Sequence, residues 1–139
     1  MIALPPDCVR WIVRNGEDND CAIAAISLAT GHSYEHVLGA AMQVCSTIME
    51  DGLSNKEMQA VLKALGHESK LRRKFDLEED TGILHISDKK DERHVVYLWD
   101  GRIIEPSMGR RALWRDPQAY LNHEKSKACW LIEVKPQEG

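Results

Sequence analysis

The sequence predicts an α+β fold in which N-terminal helices pack on a mostly antiparallel sheet. Up to Gly66, apolar residues recur at helical spacing in segments that are bounded by residues typical of helix ends. From His67 onward, short runs with β character alternate with polar clusters. The chain has 139 residues, of which 43% are hydrophobic, and this suits one domain with one core. We therefore expect a single domain over residues 1–139.

The central helix is predicted to begin at Cys21, directly after an acidic loop. Asp20 is a suitable N-cap, and Gly31 can supply the left-handed residue that ends the helix about three turns later. Between them the segment is apolar on nearly every side, apart from Ser27 and Thr30, so we expect it to be buried in the core. A thiol at the first helical position feels the positive end of the helix dipole, which favours the thiolate.

Two further helices are predicted before the sheet. Ser33 can cap a helix that runs through about Cys45. Ser54 and Glu57 have the spacing of a capping box, and Gly66 ends the helix that follows. The apolar stripe of this third helix consists of Met58, Val61, Leu62 and Leu65.

The predicted strands lie at about residues 68–75, 82–87, 93–99, 102–106 and 128–134. A short extended segment at 8–14 leads into the acidic loop. Asp116 and Pro117 have the pattern of an N-cap followed by proline at the first helical position, so a short helix should run to about Glu124. Asp100 and Gly101 indicate a two-residue hairpin turn, because both types tolerate positive φ.

This hairpin brings a histidine next to a carboxylate. With Asp100 and Gly101 in the turn, the pairs are Trp99 with Arg102, Leu98 with Ile103, Tyr97 with Ile104, and Val96 with Glu105. His94 shares a face with Val96, because side chains alternate along a strand. Glu105 is then the diagonal neighbour of His94, within reach of a hydrogen bond that would set the tautomer and orientation of the imidazole.

A thiol at a helix start, a strand histidine and an adjacent carboxylate are the parts of a cysteine nucleophile with its base and orienting group. In this arrangement the chain resembles the papain-like cysteine peptidases, in particular the compact branch related to bacteriocin-leader peptidases. The resemblance covers most of the chain. It is carried by Asn15, the Asp20-Cys21 pair before an apolar helix, His94 at the start of a Val-Val-Tyr-Leu strand, and Glu105-Pro106.

The resemblance implies a papain-like fold and amide hydrolysis of a peptide or protein substrate without a cofactor. Cys21 would be the nucleophile, His94 its acid and base, Glu105 the orienting residue, and Asn15 a donor in the oxyanion hole. The family usually has glutamine six residues before the cysteine, and Asp or Asn as the third residue. Asn15 and Glu105 retain an amide donor and a hydrogen-bond acceptor at these positions.

Two residues are candidates for substrate binding. Asp20 belongs to the acidic loop, which would favour a basic substrate. Trp114 lies in a segment predicted to be a polar loop and is the best candidate for the rim of a groove. The tryptophans of predicted strands are more typical of the core.

Residues 32–36 match the H-x-x-E-H pattern of inverted zinc peptidases. That motif needs both histidines on one helix face. Because Gly31 ends one helix and Ser33 caps the next, we expect His32 to lie outside the helix that carries His36, and we predict no metal site.

Two other functions remain open. A papain-like domain can act as an inactive binding or inhibitory module. It can also be an amidase or deamidase that acts on a glutamine of a protein partner, since the same groups serve any acyl transfer.

Composition restricts the binding surfaces, the cysteine chemistry and the cellular location that we expect. The net charge of −4 does not predict a nucleic-acid or anionic-membrane surface, although residues 72–74 and 110–111 form small basic clusters. The four cysteines are widely spaced, so neither a zinc ribbon nor a disulfide scaffold is predicted. We find no leader pattern and no membrane-spanning segment, and we expect a cytoplasmic protein of undetermined oligomeric state.

Overall fold

The computed structural model describes residues 21–45, 53–88, 93–105 and 113–135. Within these ranges the chain forms four helices and six strands, in the predicted α+β arrangement. The helices are α1 (Cys21–Thr30), α2 (Tyr34–Val44), α3 (Asn55–Ala64) and α4 (Pro117–His123). The strands are β1 (Ser69–Arg72), β2 (Gly82–Asp88), β3 (Arg93–Trp99), β4 (Arg102–Ile104), β5 (Leu113–Trp114) and β6 (Ser126–Val134).

The strands form one sheet in the order β1-β6-β2-β3-β4-β5, and each neighbouring pair is antiparallel. The hairpin between β3 and β4 has the predicted register over Tyr97↔Ile104, Leu98↔Ile103 and Trp99↔Arg102. Its turn residues Asp100 and Gly101 have φ values of 50° and 72°. Both are in the left-handed region that a primed hairpin turn requires, so the predicted hairpin is confirmed.

Local hydrogen bonds set the ends of the N-terminal helices, as predicted. Gly31, at φ 80°, follows the last residue of α1. The Ser33 hydroxyl caps α2 by accepting from the backbone N–H of His36. Ser54 and Glu57 form a reciprocal capping box at the start of α3. The predicted N-cap of α1, Asp20, and the extended segment at 8–14 lie outside the described residues.

Both faces of the central strands β2 and β3 are buried. Helices α1 to α3 cover one face, where their apolar side chains pack against Ile83, Val95 and Ile132. Helix α4 covers the other face through Tyr120 and Leu121, which pack with the alternate residues of the central strands. Every residue of α1 from 22 to 28 is buried, which confirms the prediction that this helix lies in the core.

Strand β5 is absent from the predicted elements. It has two residues and pairs with β4 through Ile103↔Trp114 and Ile104↔Leu113. A strand of two residues is too short for an alternating pattern to be visible in the sequence. Its formation depends on pairing with the neighbouring strand. No helix in the described ranges is long and apolar enough to cross a membrane.

Candidate active site

Cys21 is the first residue of α1, and its side chain is half-buried against the first core cluster. The helix behind it is held by burial along its length, so the position of the thiol is set by the core rather than by a loop. The thiol has a hydrogen bond with His94. The structure therefore brings together the predicted nucleophile and the predicted base, from two elements that are more than sixty residues apart in the chain.

His94 is the second residue of β3, and Glu105 directly follows β4. The Nε2 atom of His94 lies 2.7 Å from Oε2 and 2.9 Å from Oε1 of Glu105. The hairpin register brings these side chains together across the two strands. Because Glu105 is bonded to Nε2, Nδ1 is the ring nitrogen that remains available to Cys21.

A fourth residue, Tyr120, belongs to the hydrogen-bonded group and was not predicted from the sequence. The Tyr120 hydroxyl donates to Oε2 of Glu105 over 2.5 Å. Tyr120 is fully buried, and only 2% of Glu105 is exposed. The one sequence signal for this contact is that helix α4, which begins after the Asp116 cap, has its apolar pair at Tyr120 and Leu121.

The electrostatics of the site favour a charged imidazole. Burial lowers the pKa of His94, but hydrogen bonds with Cys21 and Glu105 and the negative charges of both groups outweigh burial and raise this pKa to about 10. The raised pKa favours the imidazolium form of His94 at neutral pH. Burial, followed by the hydrogen bond to Glu105, raises the pKa of Tyr120, so its hydroxyl keeps the proton that it donates.

Of the other predicted site residues, the structure describes Trp114, whereas Asn15 and Asp20 lie outside the described residues. Trp114 was expected in a polar loop, and that expectation was wrong, since it lies in β5. Its half-buried ring packs against Tyr120, with ring centroids 5.4 Å apart, and against His123 at 5.1 Å. Pairing with β4 draws the ring toward helix α4.

The two histidines of the H-x-x-E-H pattern have the predicted relation to α2. His32 precedes the Ser33 cap, so it lies outside the helix of His36. Its ring contacts that of His36, and its Nε2 atom lies 3.4 Å from Nε2 of His67. Nδ1 of His67 is hydrogen-bonded to the carbonyl oxygen of Lys135. Among the described residues, no group of three or more His, Cys, Asp or Glu side chains is arranged to hold a metal ion.

Comparisons of this chain with protein-family models, curated proteins and solved structures found no match.

Proposed function

We propose that this protein is a thiol hydrolase that cleaves an amide bond of a peptide or protein, as a cysteine peptidase does. The observation that carries this proposal is the hydrogen-bonded series Cys21, His94 and Glu105. A thiol, an imidazole and a carboxylate in this order are a nucleophile, a proton carrier and an orienting group. The buried helix behind the thiol and the paired strands behind the imidazole hold them rigidly.

In the proposed reaction, Sγ of Cys21 attacks the amide carbonyl carbon while the His94 imidazolium holds the proton from the thiol. Collapse of the tetrahedral adduct breaks the C–N bond, and His94 delivers its proton to the leaving amine. The neutral imidazole then takes a proton from water, whose oxygen attacks the thioester. Collapse of this second adduct breaks the C–S bond and releases the carboxylic acid. Cys21 is again the thiolate and His94, which keeps the proton taken from water, is again the imidazolium, so that one water is consumed for each amide cleaved.

The negative oxygen of each adduct needs hydrogen-bond donors. The backbone N–H of Cys21 is one proposed donor, because the first N–H groups of a helix have no partner within the helix. The side-chain amide of Asn15 is the other, as the resemblance to papain-like peptidases implies. Asp20 and Trp114 remain the proposed substrate contacts.

The same resemblance leads us to propose a papain-like arrangement for the α+β fold, with the nucleophile on the central helix and its partners on the sheet. We also propose a cytoplasmic location. The four cysteines are widely spaced and include no C-x-x-C pair, and this suits a reducing compartment.

The test is hydrolysis of a peptide library that includes glutamine-containing sequences, followed by mass spectrometry. A peptidase yields two shorter peptides and one new N-terminus per cleavage. We expect Cys21→Ala to reduce product formation by at least about a thousandfold, whereas Cys129→Ala should retain it. Products that persist in Cys21→Ala would contradict the proposal.

The same experiment separates the two alternatives. A deamidase leaves the peptide backbone intact and converts glutamine to glutamate with release of ammonia. An inactive binding module yields neither product, and its partner binding survives Cys21→Ala.

A further inference from the structure

Tyr120 contacts the site from behind the carboxylate. Its hydroxyl donates to Oε2 of Glu105, the same oxygen that lies 2.7 Å from Nε2 of His94. The phenol is fully buried in the cluster between α4 and the sheet. Its hydrogen bond therefore acts on the thiol and the imidazole through Glu105.

We propose that Tyr120 is a positioning residue of the candidate active site, which holds the Glu105 carboxylate in the orientation and the ionised state that His94 needs. This inference rests on the proposed function, because it assigns Tyr120 a role in the reactivity of Cys21.

The orientation of Glu105 is the first reason. A glutamate side chain has one more rotatable bond than an aspartate, so a carboxylate at this position has more ways to turn away from the imidazole. Oε2 accepts from the Tyr120 hydroxyl, and both carboxylate oxygens lie within 2.9 Å of Nε2 of His94. With Oε2 fixed by the phenol, the carboxylate plane is held facing the imidazole.

The ionisation of Glu105 is the second reason. A carboxylate that is 2% exposed has lost most of its hydration, which favours the neutral acid. A hydrogen bond donated to the charged form opposes that effect. Without the hydroxyl, the carboxylate has one donor fewer, and the negative charge that stabilises the His94 imidazolium is weakened.

The phenol is itself held firmly. Asp116 caps α4 by accepting from the backbone N–H groups of Gln118 and Ala119, and Pro117 begins the helix. Tyr120 follows one turn after the cap, and its backbone N–H bonds to the carbonyl oxygen of Asp116. Trp114 packs edge-on against its ring. These contacts fix the ring independently of Glu105.

The test is the pH midpoint of Cys21 alkylation by iodoacetamide in Tyr120→Phe, which removes one oxygen atom and keeps the ring. We expect the midpoint to rise by about one pH unit, equivalent to about tenfold less thiolate at a given pH. The control is Tyr34→Phe, which removes a hydroxyl from another tyrosine that is buried, at the start of α2. Its midpoint should equal that of the wild type.

The outcomes separate this inference from the proposed function. The wild type could have a low midpoint that depends on His94, while Tyr120→Phe leaves that midpoint unchanged or lowers it. This result would overturn the role of Tyr120 alone. A wild-type midpoint near 8.5, the value of a free thiol, would overturn both.

A measurement on the wild type covers the case in which Tyr120→Phe does not fold. A proton NMR spectrum should contain a Tyr120 hydroxyl proton that is shifted downfield and protected from exchange, because its hydrogen bond to the Glu105 carboxylate is buried. A Tyr120 hydroxyl that exchanges freely with water would overturn the inference.

Discussion

Nε2 of His94 lies within hydrogen-bond distance of both carboxylate oxygens of Glu105, at 2.7 Å and 2.9 Å. A histidine bonded on one side to a carboxylate directs its second nitrogen away from that carboxylate. This nitrogen remains available to the Cys21 thiol, the other side-chain hydrogen-bond partner of the ring. The carboxylate thus sets both the direction and the charge of the imidazole. Most of the functional predictions depend on this contact.

Removal of the Glu105 charge should make His94 less basic. In Glu105→Gln the amide oxygen can still accept a hydrogen bond, but the negative charge that raises the His94 pKa is gone. We expect the pKa of His94, followed by NMR of the imidazole carbons, to fall by about one unit or more from about 10. The matched control is Glu133→Gln, a carboxylate that pairs with Arg72 on the sheet. Equal His94 pKa values in wild type and Glu105→Gln would contradict the account.

Stability should decrease at high pH because of His94. The pKa of His94 is about 10 in the folded chain and 6.5 in the unfolded chain. Its contribution to the free energy of unfolding is therefore complete below pH 6.5 and is lost as pH rises through about 10. In the proposed thiolate–imidazolium pair, Cys21 has lost the proton that His94 has gained, so the pair offsets this loss of stability below about 8.5, the pKa of a free thiol. The decrease in the free energy of unfolding should therefore occur mainly between about pH 8.5 and about pH 10, with a slope of at most about 1.4 kcal/mol per pH unit.

Urea unfolding between pH 6 and 10 measures this slope. In His94→Ala the extra decrease above pH 8.5 should be absent, whereas His123→Ala, which removes an exposed histidine, should retain it. A wild-type curve parallel to that of His94→Ala would be evidence against a raised His94 pKa.

His32 should affect the pH dependence of stability in the opposite direction. Burial, followed by the charges of His36 and His67, lowers the pKa of His32, and a backbone hydrogen bond at Leu65 opposes this only in part. A folded pKa below the unfolded value of 6.5 means that the unfolded chain binds the proton more readily. The contribution of His32 to the free energy of unfolding is therefore present above pH 6.5 and is lost as pH falls below that value.

His32→Gln should weaken the loss of stability between pH 7 and pH 5 that unfolding measurements give for the wild type. His123→Gln is the matched control, because His123 is exposed and lies in α4. An acid dependence that His32→Gln leaves unaltered would show that folding does not lower the pKa of His32.

Two glycines give a test of the packing. A Cβ at Gly82 would collide with the carbonyl oxygen of Ile132 in the adjacent strand β6, so Gly82→Ala should destabilise the fold by about 2 kcal/mol or more. A Cβ at Gly39 in α2 meets nothing within 4 Å, so Gly39→Ala should stabilise by about 0.5–1 kcal/mol through helix propensity. Thermal unfolding of both variants checks the pair. Similar melting temperatures for the two would contradict the strand register at Gly82.

The features that were predictable from the sequence are local ones. The caps at Ser33 and Ser54, and the positive φ at Gly31 and Gly101, depend on residues within a few positions of each other. The hydrogen bond between His94 and Glu105 was also predictable, because a two-residue turn fixes the register of the strands beside it.

The features that were not predictable depend on contacts that are distant in the chain. Strand β5 forms only against β4, and Trp114 is drawn from its expected loop by that pairing. Tyr120 reaches Glu105 because α4 packs across the sheet. Neither the direction of a short helix nor the face it covers is encoded in its own seven residues.

The most direct test of the central claim is the rate at which iodoacetamide alkylates Cys21 as a function of pH, read by peptide mass spectrometry. Alkylation of Cys129 in the same digest corrects for the reagent. We predict a rate that is already high near pH 6 in the wild type and falls in His94→Ala, because the imidazolium stabilises the thiolate. A rate that rises only near pH 8.5, the pKa of a free thiol, and is unaffected by His94→Ala would contradict the proposed thiolate–imidazolium pair.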